Sequence, residues 1–433
     1  MKRVWIAFAL VVATGAVRQA PPEFTVFNNA RVLTATGASG FEFVNATIVT
    51  RGGQISSVSN NPPTLVRGGD GPTLPLDTRF VDLKGKFVVP GLISAHAHVS
   101  DVNGLKPRAY TEENTRRQLG VFARYGITTV WSLGGEQAPA FALRDAQGVP
   151  SLDRARIFVA GDVITGRTPD EARAAVARVA ALKPDVIKIR VDDNLGTATK
   201  MTPEVYRAVI EEAHARKLRV AAHIFYLADA KDLVKSGVDV IAHSVRDLDV
   251  DAEFLSLMKE RGVAYCPTLT REVSAFVYES TPAFFTDPFF LREADREVMA
   301  QFSQPDRQKA MASSSTAQRY KAGLEIARRN LKRAADAGIT IAMGTDSGAF
   351  PERFQGYFEH LEMEMMVASG MTPAQVLRSA TSDAAAAMKR QDVGSIAAGK
   401  WADFVVLDKD PLADIKNTRA IASVWIAGRQ IDR

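Results

Sequence analysis

The chain has 433 residues, of which 46% are hydrophobic and 24% are charged, and its formal net charge is +5. This composition is typical of a globular protein and argues against both a disordered chain and a polytopic membrane protein. The net charge is small for the length, and no basic run is interleaved with aromatic residues, so nothing indicates a nucleic-acid partner. A chain of this length has room for an α/β barrel of about 250 residues and a second, smaller domain.

Residues 1–20 have the pattern of a secretory signal peptide. Lys2 and Arg3 precede an apolar run of about 14 residues, and small residues follow the run. The run is shorter than the ~20 residues that a membrane-spanning helix needs, and a Pro-Pro pair comes soon after it. A buried first helix is the alternative. Cleavage between Ala16 and Ala20 predicts a periplasmic or secreted protein with no stable membrane anchor, and the single Cys266 excludes an internal disulfide.

Both ends of the remaining chain have the pattern of short β-strands separated by turns. Near the N-terminus these stretches are EFTVFNNARVLTAT, NATIVTRGGQISSVS and RFVDLKGKFVVPG. Near the C-terminus they are DVGSIAAGKWADFVVLDKD and IASVWIAGRQI. We therefore predict one small β-sandwich domain that is built from both termini, from residues 21–86 and 391–433.

The middle of the chain, residues 87–390, alternates short apolar strands with helical patterns, which is typical of parallel βα units. The predicted strands are FVVPGLISAHAH, GITTVWSL, ARIFVAG, DVIKIR, LRVAAHI, DVIAHS, VAYCPTL and ITIAMGTD. This pattern predicts an α/β fold, a (β/α)8 TIM barrel whose chemistry lies at the carboxyl ends of its strands. The connection from Arg271 to about Ala335 is long enough to form a lid over the barrel mouth.

Ionisable residues are concentrated at the predicted carboxyl ends of the barrel strands. His96 and His98 share a strand and face the same direction, because strand side chains alternate between two faces. The strand ends of a closed barrel converge on one central point, so these residues form one candidate site. The full set is His96, His98, Lys188, His223, His243 and Asp346.

Imidazoles and carboxylates are typical ligands of zinc and similar divalent ions. Two such ions about 3.5–4 Å apart would activate a shared water and polarise a carbonyl oxygen. The pair needs a bridging anion, which Lys188 can supply only as a carbamate formed with CO2. The structural alternatives are His223 and His243 in the core, Lys188 paired with an acid at the barrel mouth, and Asp346 capping the following turn.

Six motifs in this order resemble those of the amidohydrolase superfamily: PGLISAHAHVS, DVIKIRVDD, RVAAHIFY, DVIAHSV, MGTDSG and GSIAAGKWADFVVLDKDPL. The similarity is greatest to the binuclear hydrolases related to imidazolonepropionase and to Xaa-Pro dipeptidases. The resemblance implies two divalent metal ions, with Zn2+ as the favoured ion. It implies that His96, His98 and Asp346 hold one ion, that His223 and His243 hold the other, and that carboxylated Lys188 bridges them.

The resemblance also implies hydrolysis of an amide bond by a metal-bridging hydroxide, with Asp346 carrying a proton to the leaving group. A dipeptide or an N-acyl amino acid is the favoured small-molecule substrate, because Arg190 near the mouth could hold a substrate carboxylate. Arg246 and Tyr226 are further candidate substrate-binding residues. For Tyr226 the alternative is packing at the rim. For the arginines it is a solvated charge or an ion pair with a nearby acid, namely Asp192, Asp193 or Asp247.

Other functions remain open at this point. The chain could be a mononuclear deaminase or cyclic-amide hydrolase in which Lys188 is an ordinary lysine, or a lactonase or esterase. Outside enzymes, it could be an inactive metal-bound scaffold or a secreted solute-binding protein, and it could form a homo-oligomer. His214 is expected on a solvated helix face, and His360 on the helix after the eighth strand.

Overall fold

The structure is a computed structural model that describes residues 23–36, 40–60, 74–75 and 77–432. The predicted signal peptide lies outside the described residues, so it stays a prediction. Within these ranges, no helix combines the length and the apolar character that crossing a bilayer requires.

The strands fall in three stretches of the chain. The first contains β1 (Phe24–Thr36), β2 (Gly40–Arg51), β3 (Gln54–Ser59), β4 (Arg79–Asp82) and β5 (Phe87–Pro90). The second contains β6 (Leu92–Ala97), β7 (Val102–Asn103), β8 (Lys106–Pro107), β9 (Ile127–Ser132), β10 (Arg156–Val159), β11 (Ile187–Arg190), β12 (Val220–His223), β13 (Val240–Ala242) and β14 (Ala264–Cys266). The third contains β15 (Phe404–Leu407), β16 (Ile421–Ile426) and β17 (Arg429–Gln430).

Strands from both termini form one sheet, which we call the terminal sheet. Its order is β17-β16-β15-β5-β1-β2-β3, and β4 pairs with β1. β15 runs antiparallel to β5, with Phe404 opposite Pro90. Phe27 of β1 packs edge-on against Trp425 of β16, with 4.7 Å between their ring centroids. The prediction that strands of both termini come together in one sheet is confirmed, and the domain bounds 21–86 and 391–433 stay predictions.

The barrel strands pair in parallel within two groups, β6-β9-β10 and β11-β12-β13-β14. Backbone hydrogen bonds close the remaining gaps, namely Ile164 N to Lys188 O (2.7 Å), Tyr265 N to Thr340 O (2.9 Å) and Ala95 N to Met343 O (2.7 Å). Residues 339–346 therefore occupy the eighth strand position, between β14 and β6. The predicted (β/α)8 barrel is confirmed.

Helices follow the strands along the chain. Around the first six barrel strands they are α1 (Glu112–Arg124), α2 (Ala138–Asp145), α3 (Pro169–Ala181), α4 (Pro203–Ala215), α5 (Leu227–Lys235) and α6 (Ala252–Arg261). After β14 come α7 (Leu269–Ser274), α8 (Pro288–Leu291), α9 (Arg296–Phe302), α10 (Pro305–Ala312) and α11 (Ser315–Asp336). The last are α12 (Tyr357–Ala368), α13 (Pro373–Ser379) and α14 (Ser382–Ala387).

The long connection after β14 is mainly helical, since it contains α7 to α11. Its aromatic residues pack against the loop that follows the eighth strand position: the ring of Phe290 lies 4.8 Å from that of Phe354. The hydroxyl of Tyr278 donates to the backbone of Glu352 in the same loop. The connection therefore covers the side of the barrel mouth near Asp346. Its role as a lid stays a prediction.

The predicted first strand FVVPGLISAHAH is divided at Gly91. Phe87–Pro90 belongs to the terminal sheet, and Leu92–Ala97 belongs to the barrel. The Gly91 amide donates to Asp403 O of the terminal sheet (2.9 Å). A Cβ at this position would lie 2.7 Å from Cγ2 of Thr128 and closer still to its Oγ1. Glycine is therefore needed where the chain passes between the two units.

Candidate metal centre

The carboxyl ends of the barrel strands bring the candidate ligands together. His96 lies on β6 and Lys188 on β11, and His223 is the last residue of β12. His243 follows β13, and Asp346 is the last residue of the eighth strand position. The potential ligand atoms of His96, His243 and Asp346 all lie within 4.8 Å of one another. These strand ends thus converge on one point, as the barrel geometry predicts.

One group of candidate metal-ligand atoms surrounds the carboxylate of Asp346. Its Oδ1 lies 3.2 Å from His96 Nε2 and 3.0 Å from His98 Nε2. The other ring nitrogen of His98, Nδ1, lies 2.9 Å from Gly134 O and 3.0 Å from Asp101 Oδ2. These acceptors hold the Nδ1 proton and direct Nε2 towards Asp346, which is the arrangement that a metal-binding histidine needs.

A second group of donors is formed by His223 and His243, whose ring centroids lie 4.1 Å apart. Asp192 Oδ2 lies 2.9 Å from His223 Nε2, so Nδ1 is the remaining ring nitrogen of His223. Thr268 Oγ1 lies 2.7 Å from His243 Nδ1. His243 Nε2 is buried and has no hydrogen-bond partner among the described residues. A buried imidazole nitrogen without a partner is costly, and a metal ion at this point would remove that cost.

Burial sets the protonation of the histidines. It is the main cause that lowers the pKa of His96 and of His243 well below the ordinary value, and it lowers the pKa of His223 to about 3. Burial opposes a charge on His98 too, but hydrogen bonds with Asp101 and Asp346 raise its pKa to about 10. Neutral imidazoles are the form that binds metals, so the first three rings already have the required charge.

Lys188 lies inside this group, with Nζ 3.3 Å from His96 Nε2. Its side chain is buried, and burial is the main cause that lowers its pKa to about 8. The predicted alternative was an ion pair with an acid, but the polar contact of Nζ is with an imidazole. A buried amine beside an imidazole fits a side chain that is modified to an anion when metals are bound.

The backbone at the site is strained. His243 has a φ of 73°, Thr268 has 50° and Asp346 has 62°, in the left-handed region that non-glycine residues seldom adopt. Hydrogen bonds hold these residues in place, since the His243 amide donates to Cys266 O and the Asp346 amide donates to His96 O. Strain of this kind often accompanies functional sites, where it sets the direction of a side chain.

Glu359 on α12 supports the loop that carries Asp346, and sequence reasoning did not select it. Its Oε1 accepts hydrogen bonds from the hydroxyls of Ser94 (3.0 Å), Thr345 (2.6 Å) and Ser347 (2.7 Å). These bonds connect both neighbours of Asp346 to β6 and α12. The hydroxyls of Thr345 and Ser347 on either side of Asp346 were the signal in the sequence that a supporting acceptor was needed. Their acceptor, Glu359, lies 12 or more residues away in sequence.

Arg353 was also missed. It lies in the loop before α12, and its guanidinium donates to Oδ2 of Asp346 and to Oγ of Ser274. Although burial raises the pKa of Asp346, the charge of Arg353 and hydrogen bonds from His96 and His98 hold it well below its usual range. Asp346 is therefore a carboxylate at neutral pH.

Arg190 and Tyr226, two predicted substrate-binding residues, both contact acidic residues near His223. Nε of Arg190 donates to Asp192 Oδ1 (3.1 Å), and the Arg190 side chain is 38% exposed. The hydroxyl of Tyr226 donates to Asp193 Oδ1 (2.9 Å). The pair of Arg190 and Asp192 matches the ion pair considered from the sequence, whereas the bond of Tyr226 to Asp193 was not among the alternatives for that residue. A direct role in substrate binding stays a prediction for both residues.

Arg246 is buried, which excludes the alternative of a solvated charge. Its Nη1 donates to Ile224 O (2.9 Å) and Ser244 O (2.7 Å), and its Nε lies 3.1 Å from Glu272 Oε1. The predicted acidic partners of this arginine were Asp192, Asp193 or Asp247, and the ion pair with Glu272 differs from all three. Its Nη1 holds together the backbone segments that follow β12 and β13, so this nitrogen stabilises the fold at the barrel mouth.

The two remaining histidines lie outside the candidate site. His214 on α4 is partly exposed and lies 2.9 Å from Asp239 Oδ2, in agreement with the expected helix surface. His360 is buried on α12, where its ring contacts Thr418 Oγ1 (2.9 Å) and Tyr125 O (2.8 Å). His360 therefore connects the barrel to the C-terminal segment.

Residues 87–431 match the amidohydrolase family. Ochratoxinase from Aspergillus niger is 27% identical over 283 residues, which cover 62% of this chain and 51% of that protein. This chain thus matches about half the length of that relative. Imidazolonepropionase from Streptomyces coelicolor is 26% identical over 404 residues, which cover 84% of this chain and 89% of that protein.

A solved structure of a Xaa-Pro dipeptidase with bound methionine in the active site has a TM-score of 0.72 and 24% sequence identity. The comparison covers 95% of this chain and 100% of that one. At this identity the likeness shows a shared fold. The family match covers the barrel and the C-terminal strands, and it includes every candidate metal ligand. The chain therefore belongs to the amidohydrolase family, as its ordered motifs predict.

Proposed function

We propose that this chain is a metal-dependent hydrolase that cleaves a carbon–nitrogen bond in an N-acyl amino acid or a dipeptide. The observation that carries the proposal is the convergence of four histidines, Lys188 and Asp346 at the carboxyl end of the barrel. Membership of the amidohydrolase family supports the reaction class. The dipeptidase named among the similar structures supports the substrate class.

The donor set suits two divalent ions, with Zn2+ as the favoured ion. His96, His98 and Asp346 would hold one ion, and His223 and His243 the other. Lys188 would bridge them as a carbamate. Bound divalent ions supply Lewis acidity towards a carbonyl oxygen and lower the pKa of a water.

Asp346 is suited to move the proton in this reaction. Its carboxylate is ionised and fixed in direction, because Oδ1 contacts His96 and His98 while Oδ2 accepts from Arg353. We assign to it the acceptance of a proton from the attacking water and its delivery to the leaving nitrogen. The nitrogen then departs as a neutral amine. The carboxylate must stay unprotonated for the first step, which its lowered pKa allows.

The test is a hydrolysis screen with zinc-loaded protein on N-acyl amino acids, dipeptides, cyclic imides, lactones and aryl esters. We expect turnover of N-acyl amino acids or dipeptides, and a decrease in kcat of about 10²–10⁴-fold in the variant Asp346→Asn. Asp336→Asn is the matched control, because Asp336 is an exposed acid at the end of α11 that pairs with Lys332.

Turnover that survives in Asp346→Asn would contradict the assigned proton carrier. Turnover of lactones or esters alone would favour the esterase alternative. Failure on every substrate class would favour an inactive metal-bound scaffold.

A further inference from the structure

A buried cluster of charged residues lies directly after β14, and its charges do not balance. Arg246 and Arg271 both pair with the same oxygen of Glu272, at 3.1 Å from Arg246 Nε and 2.9 Å from Arg271 Nη1. All three side chains are at least nine-tenths buried. Two guanidinium groups on one carboxylate leave a net charge of +1 on these three side chains, and Asp192 acts on Arg246 and Asp346 acts on Arg271 from outside the cluster. A buried charge of this kind is costly unless a further anion joins it.

The cluster is incomplete in hydrogen bonds as well. Nε of Arg271 is buried and has no hydrogen-bond partner within the described part of the chain. Its neighbour Nη2 makes only a long hydrogen bond, 3.4 Å, to the Tyr320 hydroxyl. Nε and Nη2 form one edge of the guanidinium, which is the edge that binds a carboxylate through two parallel hydrogen bonds.

Arg271 lies close to the candidate metal centre. It is in the first turn of α7, three residues after Thr268, which contacts His243. Burial lowers the pKa of His223, and the charge of Arg271 acts in the same direction. The same charge acts on Arg353, which contacts Asp346. The unbalanced positive charge is therefore within electrostatic reach of the point where the scissile bond would lie.

We propose that Arg271 binds the carboxylate of the substrate and so determines specificity for N-acyl amino acids and dipeptides. The proposal rests on the proposed function, since it names the residue that recognises that substrate class. The substrate carboxylate balances the second guanidinium on Glu272 and takes the free edge of Arg271. Metal ions at the centre add further positive charge, which also favours an anionic substrate.

Arg271 suits this role better than Arg190 or Arg246. Arg190 is 38% exposed and its Nε is bonded to Asp192, so a carboxylate there would be bound partly in water, where ion pairs are weak. Arg246 uses Nη1 for two backbone carbonyls. Nε and Nη2 of Arg246 are also buried without a hydrogen-bond partner among the described residues, but its Nε faces Glu272 Oε1 at 3.1 Å. Arg271 differs in that it lies on the connection that covers the barrel mouth.

The experiment uses two substrates that differ only in the carboxylate, N-acetyl-L-phenylalanine and N-acetylphenethylamine. We expect Arg271→Gln to lower kcat/KM for the acid by about 100-fold, mainly through KM, because a buried charged partner is lost. The same variant should change kcat/KM for the uncharged amide by less than about threefold. Arg296→Gln is the matched control, since Arg296 is an exposed arginine on α9 of the same connection. Arg296→Gln should leave kcat/KM unchanged for both substrates.

Equal losses on both substrates would overturn the proposal, because they would indicate a structural role. The proposal would also be overturned if Arg271→Gln left kcat/KM for the acid unchanged. A selective decrease in kcat/KM for the acid in Arg190→Gln, and not in Arg271→Gln, would overturn it as well. If Arg271→Gln does not fold, Arg271→Lys is the second variant, because it keeps the positive charge but lacks the forked edge of the guanidinium. It should still lower kcat/KM for N-acetyl-L-phenylalanine and leave kcat/KM for the uncharged amide nearly unchanged. An unselective change, or no change, in that variant counts against the proposal.

The failure of the proposed function can be told apart from the failure of this inference. If the zinc-loaded wild type hydrolyses neither compound, the proposed function fails for this substrate class. Calorimetric titration with N-acetyl-L-phenylalanine then tests Arg271 separately. Binding by the wild type that is lost in Arg271→Gln supports the inference, and no binding by the wild type, or equal binding by both proteins, overturns it.

Discussion

In the function that we propose, the chemical state of Lys188 decides how many metal ions the site can hold. As an ammonium it would repel metal ions, and as a carbamate it would bridge them. Carbamate formation requires the neutral amine, and burial favours that form by lowering the pKa of Lys188 to about 8. Burial thus favours the neutral amine at a lower pH than in an exposed lysine, whose pKa is about 10.4.

The loading of metal should therefore depend on pH and on bicarbonate. With a pKa of about 8, roughly a tenth of the Lys188 amines are neutral at pH 7 and roughly nine tenths at pH 9. We expect metal-free protein, at fixed free zinc, to gain its second ion faster as the pH rises through this range, provided that bicarbonate is present. Zinc per chain, measured by atomic emission over time, checks this.

The variant Lys188→Ala should hold no more than one ion at any pH, and Lys309→Ala, at an exposed position of α10, should behave as the wild type. One ion per chain in the wild type, with no effect of bicarbonate, would contradict the bridge and favour the mononuclear alternative.

Residues on the strands could be selected from sequence, whereas their supporting residues could not. His96, His98 and Lys188 stand out because polar side chains interrupt apolar strands. Arg271, Arg353 and Glu359 lie in helices or loops of mixed composition, where an ionisable residue is ordinary. Their contacts, with the loop that carries Asp346 or with α11, are set by the fold, and no local pattern encodes them.

At the scale of elements, the first predicted strand is two strands joined at Gly91. The prediction of one continuous strand followed from an unbroken apolar run, and both halves are indeed buried. They belong to different sheets because Gly91 passes against Thr128 of β9, too closely for a side chain. A sequence pattern reports burial and periodicity, but it does not report which sheet buries the residue.

Substitution of Gly91 should therefore destabilise the protein. We expect Gly91→Ala to lower the free energy of unfolding by about 1–3 kcal/mol, because the added methyl group overlaps Thr128 and forces the strands apart. Urea unfolding followed by circular dichroism measures this. Gly148→Ala is the control, because a Cβ at Gly148 meets no atom within 4 Å and should have little effect.

The double variant Gly91→Ala/Thr128→Ala removes the overlapping atoms and should recover part of the lost stability. Stability equal to wild type in Gly91→Ala would show that this close approach is not required.

At the scale of the whole molecule, a buried ion pair joins the barrel to the terminal sheet. Arg156 on β10 binds Asp403, next to β15, with 2.7 Å between Nε and Oδ2, and the Arg156 guanidinium lies 4.0 Å from the ring centroid of Trp401. Asp403 Oδ1 also accepts the amide of Ala427. Because both charged groups are almost fully buried, each depends on the other.

Removal of one partner should be costly. We expect Asp403→Ala to lower the free energy of unfolding by about 3–5 kcal/mol, since Arg156 stays buried without its counter-charge. The exposed pair of Lys86 and Asp408 also connects the two ends of the chain, and Asp408→Ala should cost less than about 1 kcal/mol. Thermal and urea unfolding of both variants give the comparison, and equal losses would contradict the importance of burial.

The sequence alone determined the barrel, the terminal sheet and the candidate metal ligands, because each follows from local periodicity, from strand ends that must converge in a closed barrel, or from ordered family motifs. The tertiary structure alone decided which residues surround those ligands. It brought Arg353 to Asp346, joined Glu359 to the hydroxyls on either side of Asp346, buried Arg246 against Glu272, and left Nε of Arg271 buried without a hydrogen-bond partner among the described residues. These contacts are not encoded in strand or helix periodicity, and their energy depends on burial and distance, which exist only once the chain has folded.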